Sequence, residues 1–243
     1  KSGPVPLKKL EEYQTFEEFY DGYKALLDYY LDLSVKAQYH SYEVMNQHVS
    51  FLFTSLLTDD CIARGKALLD GGVRYLGGTT ETYGNINTSD SLWVIRDLVF
   101  NQKKYTLRQL NDAMLANFNG YEALRKDCLN CDKYGNDLET ADTMANDLYE
   151  FVAKGVRDRG IAIGMQYFLI VISNNQLNTE WGNRTAASPD GRLSCMYMNP
   201  ANNPQGGANK SGPTAMLNSL AKFDAKYHGG SVQNIKFSPS MFN

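Results

Sequence analysis

Long apolar runs are missing from this sequence of 243 residues. The longest, Tyr167 to Ile172, is far shorter than the roughly 20 residues that a helix needs to cross a bilayer. No secretory signal or transit peptide is visible, although the sequence begins at Lys1 rather than at a methionine. These absences predict a protein of the cytoplasm that has no membrane partner.

Cysteine and clustered positive charge are scarce as well. The four cysteines are too few for a disulfide scaffold in a chain of this length, which agrees with a reducing compartment. The formal net charge is −3 and Lys and Arg form no dense patch, so we expect no nucleic-acid partner. The sequence contains no GxSxG, HExxH, P-loop or EF-hand signature.

Capping patterns and helical periodicity are abundant. Thr15 and Glu18 form a capping box, in which both side chains satisfy amides that the first helical turn leaves free. A second box, Thr106 with Gln109, precedes another periodic segment. These patterns predict helices from Thr15 to about Tyr39, from His40 to Leu57, from Cys61 to Leu69 behind the caps Asp59 and Asp60, from Thr88 to Phe100, from Thr106 to about Phe118, near Tyr121 to Leu129, and from Thr140 to Asp158.

Two segments have the character of strands. The run VRYLGGTTETYGN predicts a short strand that passes into a Gly/Thr-rich loop, and Gln166 to Asn174 is an almost unbroken apolar run. Such a run is typical of a parallel strand that is buried on both faces. We therefore expect this strand inside a sheet, with helices and strands alternating in α/β layers.

Residues 188–219 fit neither an amphipathic helix nor a long strand. Their sequence is SPDGRLSCMYMNPANNPQGGANKSGPTAMLNS, and its Gly, Pro and Asn residues favour tight turns. A loop of this length without secondary structure is uncommon in a compact domain and is usually functional or disordered. Because both flanks are apolar, we expect a functional loop that is folded into the interior of a barrel.

Few side chains form a recognisable catalytic or metal-binding pattern. Cys128 and Cys131 form a CxxC pair, which can be redox-active or contribute half of a zinc site. Two further ligands at suitable spacing are missing, so we interpret the pair as structural and expect no metal. The Gly/Thr loop could cradle an anion or form a simple strand-to-helix turn. The other candidates are interpreted as structural residues: Cys61, His40, His48 and His228.

Five phrases resemble, in the same order, motifs of the glycyl radical enzymes of the pyruvate formate-lyase superfamily. They are DDCIARGKALLDGGVRY, GNINTSDSLWVIRDLVF, LNDAMLANFNGYEALRK, KYGND, and SPDGR followed by GGANKSGPTAMLNSLAKFD. The last phrase is similar to the family patterns T-P-D-G-R and G-x-D-x-x-G-x-T-A-x-L-x-S. Together the phrases cover most of the chain from Thr58 onward, so the resemblance is specific.

The resemblance implies part of a ten-stranded α/β barrel with many helices. In that family two loops meet at the centre of the barrel, and they carry the cysteine that becomes a thiyl radical and the glycine that stores the radical. The closed barrel excludes water and oxygen from the intermediates. The resemblance also implies a small-molecule substrate, a radical-SAM activating enzyme that installs the glycyl radical, and a protein that could pair as a homodimer.

Neither radical residue occurs in the sequence in its family setting, G-C-V-E or C-C for the cysteine and R-V-S-G-Y for the glycine. We therefore expect residues 1–243 to be a segment of one barrel domain, with a helical lead-in at 1–57 and a family-matching part at 58–243. This chain alone is expected to bind no cofactor and to show no radical chemistry. Asn209 stands where the family has Asp, and SCMYMNPANNP replaces the usual A-G-x-P-L-A-D-G.

Three functions follow from the resemblance. The parent protein could cleave the C–C bond of a 2-oxo acid, as formate acetyltransferase does in anaerobic metabolism, and we favour this interpretation. It could instead be a dehydratase of a diol or a C–N lyase on the same scaffold. The chain could also be a truncated homologue that is catalytically inert or serves as an interaction module.

The family match also implies where this chain would contact substrate. No residue is assigned a catalytic role, because both radical residues are missing. Asp190, Gly191 and Arg192 are expected to form a turn that pins the long loop. The segment TAML at 214–217 could line the central cavity, or Met216 and Leu217 could be ordinary core. Both interpretations require burial of the residues expected at the substrate, which are Thr214, Ala215, Met216, Asn202 and Asn203.

Overall fold

The structure, a computed structural model, describes residues 3–49, 51–172 and 176–241. Its helices and strands in chain order are α1 (Phe16–His48), α2 (Leu52–Leu57), α3 (Cys61–Arg64), β1 (Gly77–Thr82), α4 (Asn85–Val94, continued by a π-helical segment Ile95–Asn101), α5 (Leu107–Leu115), α6 (Glu122–Asn130), α7 (Glu139–Ala162), β2 (Tyr167–Ile172), α8 (Leu177–Asn183), α9 (Gly212–Ala221) and β3 (His228–Ser231).

The three strands form one parallel sheet in the order β1-β2-β3. Gly77 lies opposite Tyr167 at the start of the β1–β2 pair, and the register shifts once in the β2–β3 pair, between Ile170 and Val171. Because β2 is the central strand, the prediction of an interior strand is confirmed for its six residues. The last two residues of the predicted segment, at 173 and 174, lie outside the described residues.

Helix α7 covers one face of the sheet at very short range. Phe168 is 0% exposed and lies between two glycines. A Cβ atom at Gly160 of α7 would come within 2.5 Å of the Phe168 Cβ, and one at Gly78 of β1 within 2.7 Å of its ring. The missing side chains therefore allow the helix and both strands to pack around one phenylalanine.

The substitution Gly160→Ala is expected to lower the free energy of unfolding by about 1–3 kcal/mol. The new methyl group meets the Phe168 Cβ, which cannot move without the strand, so the contact overpacks the core. Gly155→Ala in the same helix is the control. Its methyl group meets only the ends of two long side chains, Leu31 at 3.0 Å and Arg159 at 3.4 Å. The gain in helix propensity should therefore leave the variant as stable as wild type or up to about 1 kcal/mol more stable. Urea denaturation of both variants tests this, and equal effects would contradict the packing argument.

The other face of the sheet is open to solvent. Side chains alternate along a strand, and Thr79, Glu81 and Tyr167, which point away from α7, are exposed. We expected β2 to be buried on both faces. Within this chain only the face that packs against α7 is buried. We call this side of the sheet the open face, and it is defined by Gly77, Thr79, Glu81, Tyr167 and Leu169. Unlike a sheet in a closed α/β layer, it has no helix packed on this side among the described residues.

Two clusters of buried side chains hold the helical layer. One joins Leu92, Leu110 and Leu124 of α4, α5 and α6 with Phe16 of α1. The other lies beneath the sheet and includes Val35 of α1, with Phe168 of β2. The long helix α1 thus contributes to both clusters. The expected α/β layering is confirmed.

The N-terminal helices differ from the prediction. No break occurs between Tyr39 and His40, because no Gly or Pro interrupts the segment and α1 continues to His48. The helix predicted from Cys61 to Leu69 is only one turn long and ends at Gly65, whose φ of 61° suits a glycine. Asp60 does not cap it, since its carboxylate binds Arg64 and Arg74 instead.

Both capping boxes are found, one with a small difference. The amide of Gln109 donates to Thr106 Oγ1 at 3.1 Å, and Gln109 Oε1 accepts from the Thr106 amide at 2.9 Å. Thr15 Oγ1 accepts from the Glu18 amide at 3.2 Å, while the Glu18 carboxylate reaches the amide of Gln14 rather than that of Thr15. The helices predicted near 88–100, 106–118, 121–129 and 140–158 are confirmed within a few residues.

Two further predictions are wrong in an instructive way. The strand is not VRYL but the Gly/Thr segment Gly77–Thr82 itself, so the loop interpretation fails and the turn to α4 is made by Tyr83 and Gly84. The long segment 188–219 is irregular only up to Ser211, since Gly212 and Pro213 begin α9. Proline is favoured in the first turn of a helix, where its missing N–H costs nothing.

Candidate functional site

The carboxyl ends of the strands meet an asparagine-rich loop, residues 199–203, called here the asparagine loop. Ligands in parallel α/β folds bind at this edge of the sheet. The Asn202 amide donates to the carbonyl of Val232, the first residue after β3, at 3.3 Å. The loop therefore lies across the end of the sheet that would face a ligand.

A reciprocal asparagine pair joins this loop to the segment after β1. The Asn199 amide donates to Asn87 Oδ1 at 2.7 Å, and the Asn87 amide donates to Asn199 Oδ1 at 3.2 Å. Both residues are buried. The remaining donor group, Asn87 Nδ2, binds Asp190 Oδ2 at 2.6 Å and Gln205 Oε1 at 3.1 Å. This pair fixes the loop against the first turn of α4.

Asn202 and Asn203 use their side chains to hold the same loop. Asn202 Oδ1 accepts from the hydroxyl of Tyr149 at 2.5 Å. Asn203 forms two bonds with Asn234, donating from Nδ2 to its carbonyl at 2.6 Å and accepting its amide at 3.0 Å. Both side chains are buried. They lie at the carboxyl edge of the sheet, and their contact with substrate stays a prediction.

The Asp190–Arg192 turn lies next to this pair and is fully buried. Asp190 accepts from Ser188 Oγ at 2.6 Å and from the Arg192 amide at 3.2 Å, in addition to Asn87. The Arg192 guanidinium donates to the carbonyls of Ala186, Leu193 and Met196. Gly191 has a φ of 94°, which a residue with a side chain rarely adopts. The turn thus connects α4 with the start of the long loop.

The structure does not place Thr214 as expected. Thr214 is exposed on α9, Ala215 is half-buried and Met216 is 7% exposed. The buried side of α9 is set by Met216 and by Ser219, whose hydroxyl donates to Asp142 Oδ2 and accepts from the Asp137 amide. The expected burial of Thr214 is therefore wrong within this chain. Contact of these three residues with substrate stays a prediction.

The open face carries polar residues that the sequence did not single out. Thr79 and Glu81 point away from α7 along β1, and the Glu81 carboxylate accepts a hydrogen bond from the Tyr83 hydroxyl. The alternation Gly77, Thr79, Glu81 is visible in the sequence, but it carries meaning only once the segment is known to be a strand. A hydroxyl and a carboxylate on this face can bind a hydroxylated molecule.

Thiol chemistry has little support at Cys61, Cys128 and Cys131. Burial raises the pKa of the Cys128 thiol to about 12 and that of Cys131 to about 11, so neither forms a thiolate near neutral pH. Cys61 is 2% exposed. Across the described ranges, no three His, Cys, Asp or Glu side chains are placed to hold a metal ion together. His228 packs on the Tyr149 ring, and burial lowers its pKa.

Comparison with known families decides the assignment. The family model described as pyruvate formate lyase-like matches residues 2–177, and the model described as glycine radical matches residues 198–243. The chain belongs to the pyruvate formate lyase-like family of glycyl radical enzymes. The first match begins at residue 2 and so includes the N-terminal helices, while the expected division of the chain at residue 57 stays a prediction. The glycine radical match takes in the asparagine loop, α9 and β3.

Individual relatives of this glycyl radical family resemble nearly the whole chain. The trans-4-hydroxy-L-proline dehydratase of Clostridioides difficile is 31% identical over 230 residues, which are 94% of this chain and 29% of that protein. The chain thus spans less than a third of the length of such relatives.

Solved structures of the family confirm the fold. The B12-independent glycerol dehydratase of Clostridium butyricum, with glycerol bound, matches with a TM-score of 0.87 and 29% identity over 93% of this chain and 29% of that one. A structure described for 1,2-propanediol dehydration in Roseburia inulinivorans matches with a TM-score of 0.89 and 31% identity over 96% of this chain and 30% of that one. The described α/β unit is therefore part of the glycyl radical enzyme barrel. None of its described helices is long and apolar enough to span a membrane.

Proposed function

We propose that a complete family protein containing this chain is a glycyl radical dehydratase, which eliminates water from a small hydroxylated substrate. The observation that carries this proposal is the likeness to three proteins whose names give dehydration as their reaction, each over at least 93% of this chain. Formate acetyltransferase activity, the interpretation favoured by the sequence motifs, and C–N lyase activity stay predictions with less support. So do the inert-homologue interpretation, a cytoplasmic location and a homodimer.

The open face of the sheet is proposed as the part of this chain that faces the substrate. In an α/β barrel the helices lie outside and the other face of the strands lines the interior. Helix α7 covers the Phe168 side, so Thr79 and Glu81 would point inward. The small residue Thr79 leaves room over β1 for a substrate and for the radical loops that the family requires, while the Tyr167 ring covers Gly77.

The chain's own side chains can assist elimination of water in a defined way. A radical-SAM activating enzyme would install the glycyl radical, which would supply abstraction of a substrate hydrogen atom through the family's cysteine. Loss of a hydroxyl group as water then needs a proton donor within hydrogen-bond reach. Glu81 can donate or accept a proton at its carboxyl group, while Thr79 can orient a substrate hydroxyl. The buried asparagine loop would hold the sheet edge fixed around them.

The activity test uses the complete protein after anaerobic treatment with a radical-SAM activating enzyme. Electron paramagnetic resonance should show a glycyl doublet, and 1,2-propanediol, glycerol or trans-4-hydroxy-L-proline should be consumed with loss of water. Glu81→Gln should lower turnover by about 10²–10⁴-fold, whereas Glu180→Gln, an exposed control, should not. The isolated 243-residue chain, which lacks the R-V-S-G-Y motif, should give no doublet.

Two results would contradict this proposal. Formation of acetyl-CoA and formate from pyruvate and coenzyme A, with no dehydration, would establish the formate acetyltransferase reaction instead. Full turnover of Glu81→Gln would exclude the open face as the position of a proton donor, while leaving the reaction class intact.

A further inference from the structure

A cavity of about 340 Å³ lies outside the sheet, between α6, the Asp190–Arg192 turn and the glycine pair Gly206–Gly207. Its lining contains four cationic side chains and two carboxyl groups. Gly207 has a φ of 83° and no atom near the position that a Cβ would take, so a ligand can approach the backbone there, whereas the Tyr197 hydroxyl fills the space beside Gly206. The lining residues that carry charge are Arg125, Lys133, Arg192, Lys210, Asp90 and Asp190.

Two of these cationic side chains, Lys133 and Arg125, have N–H groups that are not used in hydrogen bonds within the described structure. Lys133 is 6% exposed, and its ammonium donates to the carbonyls of Cys128 at 2.5 Å and Cys131 at 3.3 Å, which leaves one of its three N–H groups. Arg125 donates from Nε to the Gly191 carbonyl at 2.9 Å. For its two terminal nitrogens, no hydrogen bond or ion pair is found within the described part of the chain. Since a guanidinium offers five donors, four N–H groups of Arg125, which lines the cavity, have no such partner.

The carboxyl groups offset only part of this charge. Asp190 contributes one formal negative charge against four cationic side chains, and its carboxylate is held in place by Asn87, Ser188 and the Arg192 amide. Asp90 is 1% exposed and accepts the Tyr134 amide at 2.9 Å, but its Oδ2 has no partner among the described residues. Burial raises the pKa of Asp90 to about 8, so at neutral pH its carboxyl group is largely protonated and can donate rather than repel.

We propose that this cavity binds an oxyanion group, which Arg125, Lys133 and Lys210 neutralise. A tetrahedral anion such as sulfate or phosphate and the carboxylate of a small acid share the required chemistry. Charge-assisted bonds from Arg to such oxygens are short and strong, and the planar guanidinium favours two parallel bonds. This inference does not depend on the reaction proposed above, because the cavity is formed by α6 and the loops rather than by the open face.

Sulfate is the primary probe, because its charge is constant across the pH range used. Titration calorimetry of the full chain at low ionic strength should show saturable binding at one site. Arg125→Gln should weaken it by about tenfold or more, since hydrogen bonds between charged groups are lost. Lys210→Gln, at an exposed position, should weaken it by about two- to fivefold. Lys126→Gln, the exposed neighbour of Arg125 on α6, is the matched control and should bind as wild type.

Competition identifies the source of the anion. Displacement of sulfate by phosphate but not by acetate would indicate a tetrahedral ligand, and displacement by acetate but not by phosphate would indicate a carboxylate.

The affinity for sulfate should also depend on pH. It should fall as the pH rises past about 8, because ionised Asp90 would repel the anion. The charged or titratable groups around Asp90 are Lys133, Asp190, Asp142 and Tyr134. Failure of wild type to bind sulfate, or equal loss in Arg125→Gln and Lys126→Gln, would overturn the proposal.

Discussion

Replacement of Phe168 by alanine is expected to lower the free energy of unfolding by about 3–5 kcal/mol. The side chain is fully buried between α7 and β1. The neighbouring positions at Gly78 and Gly160 have no side chain that could move into the space. The cavity would therefore stay open, and the cost should fall at the upper end for a Phe-to-Ala change. Urea denaturation followed by circular dichroism measures the effect.

The matched control is the preceding residue on the same strand. Tyr167 is 40% exposed on the open face and its ring covers Gly77, so Tyr167→Ala in the 243-residue chain should cost about 1–2 kcal/mol, less than Phe168→Ala. The two variants differ only in which face of β2 loses an aromatic ring. A cost for Tyr167→Ala as large as that for Phe168→Ala would mean that the face called open is buried in solution.

Asp190→Ala is expected to destabilise the chain by about 3 kcal/mol. The substitution leaves Asn87 Nδ2, Ser188 Oγ and the Arg192 amide without the acceptor that they share, and unsatisfied buried donors are costly. Asn87 also holds the asparagine loop, so the loop should loosen together with the turn. The loss should appear both as a lower urea midpoint and as faster proteolysis within residues 184–211.

An exposed aspartate provides the comparison for that result. Asp59 pairs with Arg74 with its side chain 81% exposed, and such surface pairs contribute little. Asp59→Ala should leave the urea midpoint unchanged. If Asp190→Ala also left the urea midpoint unchanged, the buried hydrogen-bond network would be dispensable for stability. The turn would then no longer explain how the long loop is held.

Sequence was most informative where the structure is determined by neighbouring residues. The capping box depends only on Thr106 and Gln109, which are three positions apart. The apolar residues of β2 are consecutive in the sequence. Prediction failed where a distant element decides. The strand Gly77–Thr82 begins with two glycines, which have poor strand propensity. It still pairs with β2, because the aromatic rings of Tyr167 and Phe168 occupy the space over these glycines.

The candidate site was even less accessible from the sequence. Asn202 and Asn203 were singled out, but their reciprocal partners, Tyr149 and Asn234, give no local signal. Asn87 and Asn199 recognise each other across 112 positions, which no periodicity can reveal. The exposure of Thr214 was missed because Pro213 was interpreted as part of a turn rather than as the first turn of a helix.

The Asn87–Asn199 pair has a consequence for how this protein is made. A chain leaves the ribosome from its N-terminus, and domains begin to form as their residues emerge. β1 and β2 can associate with α7 as soon as residue 172 has emerged, but Asn87 must wait until its partner, 112 positions later, has been synthesised. Contacts of such separation require long loops to close and form slowly. The asparagine loop thus fixes the sheet edge only after residue 199 has been synthesised, so this edge is completed later than the pairing of β1 with β2.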